Sequence, residues 1–391
     1  MSQERITNFL LLPELKLKHF GSDGLILCEK SSEFEVCPKC AAACRGVYDH
    51  RWVKIRDESI RRMKVTLKIL KRRFWCKSCR KPFTEPVGGI MKGRRTTQRF
   101  RVAVMEACEK FCDLKAVREE FQVSFYFVYS AYYEVLKLRQ KMRDNQAWPQ
   151  SIGIDEHGFG KNKMTGRKQF VSVVVNHNKG KVFEVIHGKA QAELEEAVKH
   201  IKGRENVLYA TLDMCDPYRN FIRSFFPNAK LVADKFHVVR LLSPVLLKER
   251  KLITGTRADA RARGLLLMNA RDLDYFKRSA LSQYLARYPK LQELYYWKER
   301  IHSLYRTRGY KKARKAFNQM TSAMALSVLP EIHSLRKTLL KWKEEILNHF
   351  LTGLTNARLE GFNNKISVLR RRAYGYRNPK NYRLQILNTC S

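Results

Sequence analysis

Three acidic residues stand where a chain can assemble metal ligands. Asp155 ends the apolar run of SIGIDEHGFG, and Asp213 ends a second run in VLYATLDMCDPY. Glu360 lies far downstream in the basic segment TNARLEGFNNKISVLRRRAYGYRN. Two carboxylates a few ångströms apart repel each other unless a cation lies between them. Hard oxygen donors favour Mg²⁺ or Mn²⁺, which keep some water and complete their shells with phosphate oxygens. With Glu360 as a third ligand, two ions per site could activate an attacking oxygen and stabilise a leaving one in an in-line displacement. The chain carries 77 Lys+Arg against 37 Asp+Glu, a formal net charge of +40, so a polyanion is the expected substrate and double-stranded DNA the first candidate.

The segments around these residues read as the elements that would bring them together. SIGIDEHGFG, KQFVSVVVNH and GKVFEVIHG form a meander of three strands, and AELEEAVKHIKG is an amphipathic helix. NVLYATLD is a buried strand, and PYRNFIRSFFP is a helix with Pro217 near its start. NAKLVADKFHVV is a fifth strand leading into a helix. Three strands, helix, strand, helix, strand and a late helix is the topology of the ribonuclease H-like fold, a mixed five-stranded sheet whose first and fourth strands are neighbours. Asp155 and Asp213 are therefore expected side by side at one sheet edge. Around Glu360, Leu359, Phe362, Ile366 and Leu369 recur at helical spacing, while Asn356, Glu360, Asn363 or Asn364, and Ser367 share an adjacent polar face. Arg370, Arg371 and Arg372 follow at the helix end that suits cations, placed to grip phosphates.

Upstream, Cys37-Pro-Lys-Cys40 and Cys76-Lys-Ser-Cys79 are two CxxC knuckles that one tetrahedral Zn²⁺ accepts. Between them lie the strand-like runs RWVKIRD and VTLKILKRRFWC, as in a zinc ribbon with a knuckle at each end of a small hairpin sheet. Cys44 and His50 compete as ligands, and Cys28 is a weaker candidate. Arg61, Arg62, Lys71, Arg72 and Arg73 are candidate DNA contacts there. After Arg94 and Arg95 three helices follow, from about Arg99 to Phe111, from about Leu114 to Phe121, and onward from Ser124, an N-cap residue. The short turn at Gln122-Val123 reads as a helix-turn-helix whose second helix enters the major groove. Val117, Phe121 and Val128 would be core, and Ser124, Phe125, Tyr126 and Tyr129 would lie at the DNA face.

The fold class is thus α+β and multidomain. Residues 1–90 hold a zinc-ribbon-like DNA-binding module and 91–147 a helix-turn-helix module. Residues 148–240 begin an RNase H-like core, 241–350 form an all-helical insertion, and 351–391 return to the core with the Glu360 helix. The polar run Asp144-Asn145-Gln146 before Trp148-Pro149 marks a boundary. The N-terminus has neither the order of a signal peptide nor a run near the ~20 residues of a membrane span. Ten cysteines in so long a chain point to a reducing cytoplasm rather than a disulfide framework.

IGIDEHGFG, LDMCDPYRNFIRSFFPNAKLVADKFHVVR and TNARLEGFNNKISVLRRRAYGYRN together resemble the ISL3 family of bacterial insertion-sequence transposases, and the resemblance covers nearly the whole chain. It implies a DDE transposase with Asp155, Asp213 and Glu360 as its triad. The pattern Asp234-x-x-His237 matches a further motif of similar transposases that organises the active site, and Asp216 would support it, as would Asn356 and Asn363. The helical stretch would embrace the transposon end, with Trp297 or Trp342 stacking and Lys298, Arg300, Arg306, Lys311, Lys312 and Lys315 meeting phosphates. Partners would be the terminal inverted repeats and target DNA, held by a homodimer in the DNA complex. The protein would be cytoplasmic and nucleoid-associated. Two other readings are a DNA-binding regulator with a vestigial fold and an RNase H-like nuclease without strand transfer.

Overall fold

A computed structural model describes residues 11–110, 113–143, 145–161, 164–255 and 260–391. Two expected landmarks, a helix end at Phe111 and the boundary residue Asp144, lie outside them. The chain divides into two compact units, residues 1–135 and 136–391.

In the first unit, strands β1 (Leu15–Phe20), β2 (Leu25–Lys30), β5 (Val47–Arg56), β6 (Thr66–Cys76) and β7 (Lys81–Thr84) make one sheet in the order β1-β2-β6-β5, with β7 on the far end of β6. Alternation drives Ile55, Leu67 and Ile69 into a core with Ile26, Val65 and Val87. The short strands β3 (Glu35–Val36) and β4 (Ala43–Cys44) pair separately beside the first knuckle. The hairpin β5–β6 brings the second knuckle to the first. Cys37 and Cys79 sulfurs are 3.9 Å apart, Cys40 and Cys76 sulfurs 3.5 Å, and all four lie within 4.8 Å of one another. A zinc tetrahedron with bonds near 2.3 Å has edges of about 3.8 Å, so the donors fit one structural Zn²⁺. Cys44 is not in this group and bonds the Ala42 carbonyl at 3.5 Å; His50 is exposed, and Cys28 is buried in the sheet core.

Helices α1 (Gln98–Lys110), α2 (Leu114–Phe121) and α3 (Phe125–Arg143) follow. Gln122 ends α2 in the left-handed conformation, and Ser124 accepts the Phe127 N–H at 3.2 Å as it opens α3. Val117 and Val128 are fully buried, and Phe121 packs edge-on against Phe100.

The second unit is built on β8 (Ser151–Lys161), β9 (Lys168–Asn176), β10 (Lys181–His187), β11 (Tyr209–Leu212) and β12 (Lys230–Ala233), in the order β10-β9-β8-β11-β12. The meander is antiparallel, whereas β11 runs parallel to both β8 and β12. Both faces are covered, so β9 is apolar on both sides: Val171, Val173 and Val175 enter one core and Val174 the other. Helices α4 (Gln191–Val198) and α5 (Asp216–Phe225) interrupt the strands, and α6 (Lys235–Val239) leaves the last one. A helical region then comprises α7 (Ser243–Thr254), α8 (Ala260–Leu267), α9 (Tyr275–Ala286), α10 (Pro289–Leu304), α11 (Tyr310–Met324), α12 (Pro330–Lys341) and α13 (Lys343–Thr352). The chain returns with α14 (Ala357–Arg372) and α15 (Pro379–Thr389), whose Leu359, Ile366, Tyr382 and Ile386 close the core on the Val173 face. Among the described residues no helix is long and apolar enough to cross a membrane.

The purified chain is expected to carry one zinc. Cys76→Ser should lose it and lower the melting temperature of the first unit, as read by metal analysis and thermal unfolding. Full zinc occupancy in Cys76→Ser would contradict the four-sulfur site.

Candidate active site

Strand register assembles the site. Ile154 pairs with Leu212, and Leu212 pairs with Ala233. The next residue in each case is an aspartate, so Asp155, Asp213 and Asp234 form one row, about 4.8 Å per step; Asp213 and Asp234 follow the ends of β11 and β12, whereas β8 does not end at Asp155 but runs on, paired with β9, to Lys161. Alternation then assigns faces. Ile152, Ile154, Ala210 and Leu212 point into the helical core, leaving Gly153, Asp155, Thr211 and Asp213 on the face that α14 covers.

Helix α14 is held tightly against that face. A Cβ on Gly153 would come within 2.7 Å of Leu359 Cδ1 and of His177 Nε2, and 2.8 Å from Thr211 Oγ1, so a side chain there would push these groups aside. Asn356, the N-cap, donates its backbone N–H to Asp234 Oδ1 at 3.0 Å, and its side-chain oxygen accepts the Thr211 hydroxyl. His177 Nε2 bonds the same hydroxyl at 2.7 Å. That hydroxyl's one proton goes to Asn356, so His177 is the donor, consistent with burial keeping its pKa down at about 4 and the ring neutral. Arg358 donates to the His177 carbonyl. Two turns along α14, Asn363 Nδ2 reaches Asp155 Oδ2 at 2.7 Å.

The row gathers positive species. His237, one turn into α6, places Nδ1 2.8 Å from Asp213 Oδ1 and 3.1 Å from Asp234 Oδ2. Its bonds to Asp213 and then Asp234 raise its pKa to about 10, so it is an imidazolium at neutral pH. Burial, and next the Asp213 charge, push Asp155 up to about 8. Burial alone would raise Asp234, yet its bonds from His237 and the Asn356 amide hold it below the ordinary carboxylate value.

Glu360 stands exposed in the first turn of α14, one turn before Asn363. The close acid–imidazole group is Asp213, Asp234 and His237; neither Asp155 nor Glu360 is in it. Asp216 sits apart, exposed and paired with Lys341 at 2.6 Å. Arg370 donates to the Gly158 carbonyl of β8, and Arg371 and Arg372 are exposed beyond it.

Several expected DNA contacts are placed otherwise. Trp297 is 5% exposed with Nε1 donating to Glu293 at 3.3 Å. Lys298 is 1% exposed, its ammonium bonded to the Met268 carbonyl and Glu299. Both are core residues of α10, which corrects their reading as ligand contacts; Arg300 beside them is exposed. Trp342 is buried under the Arg219 guanidinium. In the first unit, Arg72 makes a two-pronged bond to buried Glu85 at 2.9 and 2.8 Å, an internal tie rather than a surface contact. Arg94 pairs with Glu134 at 3.0 Å, whereas Arg95 and Tyr126 are exposed. Thr211, His177 and Arg358 escaped the sequence reading; Thr211 could have been found, since it lies two residues before Asp213 on the same strand face.

A family model described as a transposase matches residues 152–386, and one described as a zinc-finger of the transposases of IS204, IS1001, IS1096 and IS1165 matches residues 33–79. The chain belongs to the ISL3 family of transposases. It is 24% identical over 374 residues to the transposase for insertion sequence element IS1001 of Bordetella parapertussis, covering 92% of this chain and 90% of that relative. It is 23% identical over 300 residues to the transposase for insertion sequence element IS1557 of Mycobacterium tuberculosis, covering 69% and 66%.

The raised Asp155 pKa sets a pH dependence. The folded state holds this proton more tightly than the unfolded state, so its stabilisation is complete below pH 3.8 and is lost as pH rises toward about 8. Without Mg²⁺ or Mn²⁺, Asp155→Asn should match the wild-type melting temperature near pH 4 and exceed it at pH 8. Parallel melting curves over that window would contradict a raised Asp155 pKa.

Proposed function

We propose that this protein is a DDE transposase that binds the terminal inverted repeats of an insertion sequence, cuts DNA and joins the freed end to a target. The observation that carries the reading is the aspartate row on the Ile154–Leu212–Ala233 register, with the Glu360 helix locked over it by Asn356 and Asn363. The strand order β10-β9-β8-β11-β12 and the late helix on one face support a ribonuclease H-like reading of this unit. The helices after β12 act as an insertion before that last helix, and α2–α3 act as a helix-turn-helix.

The donor set suits Mg²⁺ or Mn²⁺: two hard carboxylates side by side, one already holding a proton above its ordinary pKa. Two such ions, bound by Asp155, Asp213 and Glu360, would supply Lewis-acid activation of the attacking and leaving oxygens of an in-line phosphoryl transfer. Asn363 orients Asp155 toward Asp213. Asp234 and Asn356 fix the start of α14, so that Glu360 has only its side-chain torsions to adjust. His237 brings one positive charge to the row, beside Asp213 and Asp234. Exposed Arg371 and Arg372 meet the phosphates flanking the cut. The net charge of +40 favours DNA association in a salt-sensitive way. Joining two ends calls for a homodimer on DNA, and the work would be done in the cytoplasm at the nucleoid.

The test is Mg²⁺-dependent cleavage and joining of a plasmid bearing the element's ends. Asp155→Ala, Asp213→Ala and Glu360→Ala should each lose more than about 100-fold, because even the outer partners of metal ligands are worth roughly 10–100-fold. Asn363→Ala should fall within that lower range. Cutting by Asp155→Ala at the wild-type rate would overturn the assignment; cutting without joined products would mark a nuclease instead.

A further inference from the structure

The outer part of the β5–β6 hairpin carries a surface that neither the zinc group nor the core uses. On β6 the face that buries Leu67 and Ile69 continues as Lys71, Arg73 and Trp75. Tyr48 sits at the irregularity between Val47 and Asp49, where β5 gains a residue against β6. Tyr48 is 58% exposed as a residue and Trp75 41%, and their ring centres lie 5.8 Å apart. The Arg73 guanidinium is 5.4 Å from the Tyr48 ring centre and bonds Asp49 at 2.8 Å. Arg51 is exposed and stands directly across the strands from Lys71. Like charges facing each other across a strand pair are destabilising, and exposed paired rings leave apolar area in water. A polyanion bearing flat apolar rings relieves both costs at once.

We propose that Tyr48 and Trp75 form a stacking platform for unpaired bases of single-stranded DNA, with Arg51, Lys71 and Arg73 along its phosphates. A duplex presents phosphates but keeps its base faces stacked on one another, so the ring pair discriminates the two forms. The proposal takes from the preceding section only that DNA is the partner, and it needs none of the aspartate chemistry.

Binding of the zinc-loaded full chain to an oligothymidylate of about twenty nucleotides and to a duplex of the same length, in Mg²⁺-free buffer, tests it. Trp75→Ala and Tyr48→Ala should each weaken strand binding by about tenfold, leave duplex binding within about twofold, and leave the salt dependence unchanged. Trp75→Phe should keep most of the affinity. Arg51→Ala should instead reduce the salt slope on the strand by about 0.7. Zinc analysis checks the fold; if Trp75→Ala loses zinc, Tyr48→Leu carries the same expectation. Unchanged strand affinity in the aromatic variants, or an equal loss on duplex, would overturn the proposal. Neither result bears on whether Asp155 and Asp213 support cleavage, so failure here and failure of the transposase reading are separable.

Discussion

Like-charge repulsion between Asp155 and Asp213 is the constraint around which the second unit is arranged. The parallel register of β8 and β11 fixes the two aspartates on neighbouring strands, one step apart. Such an edge is stable only with positive charge or a proton on it. The protein supplies both: an imidazolium from His237, a proton on Asp155 with its raised pKa, and the Asn363 amide as a further donor. Each brings positive charge or a proton to the edge where the proposed divalent cations would bind.

Holding α14 in place is the second requirement, and it is met from beneath. Gly153 places no side chain beneath the helix, and Leu359 packs where its Cβ would be. The buried bonds among Thr211, Asn356, His177 and Asp234 then pin the helix start, while Arg370 ties its far end to β8. Asp234 serves two elements at once, accepting from Asn356 of the incoming helix and from His237 of the outgoing one. Buried polar groups joined in this way are costly to break singly, which makes the position of α14 well determined.

Much of this was legible in the chain. Apolar runs ending in acid, with the right order of strands and helices between them, implied the adjacency of Asp155 and Asp213, and paired CxxC knuckles implied the four-sulfur group. The family resemblance tied Asp234 and His237 to the active site, but the place of Asp234 in the same row was not legible, because register, not pattern, aligns Ala233 with Leu212. Trp297 and Lys298 misled for a different reason: in LYYWKER both fall on the buried face of α10, and a lysine ammonium can be satisfied internally by a carbonyl and a neighbouring glutamate. Arg72 likewise looked like a surface cation, but its partner Glu85 comes from the start of the next segment and is buried. Glu360 lies on the helix its spacing implied, while its carboxylate, like that of Asp155, is outside the close group of Asp213, Asp234 and His237.

The central claim is that the aspartate row and Glu360 share divalent cations once DNA is present. Anomalous diffraction from crystals of the full chain grown with Mn²⁺ and a DNA end tests it most directly. The account predicts manganese bonded to Asp155 and Asp213, with the Glu360 carboxylate turned in as a ligand and His237 no longer bonded to Asp213. Manganese bound away from the row, or bound there with Glu360 still turned out to solvent, would contradict it.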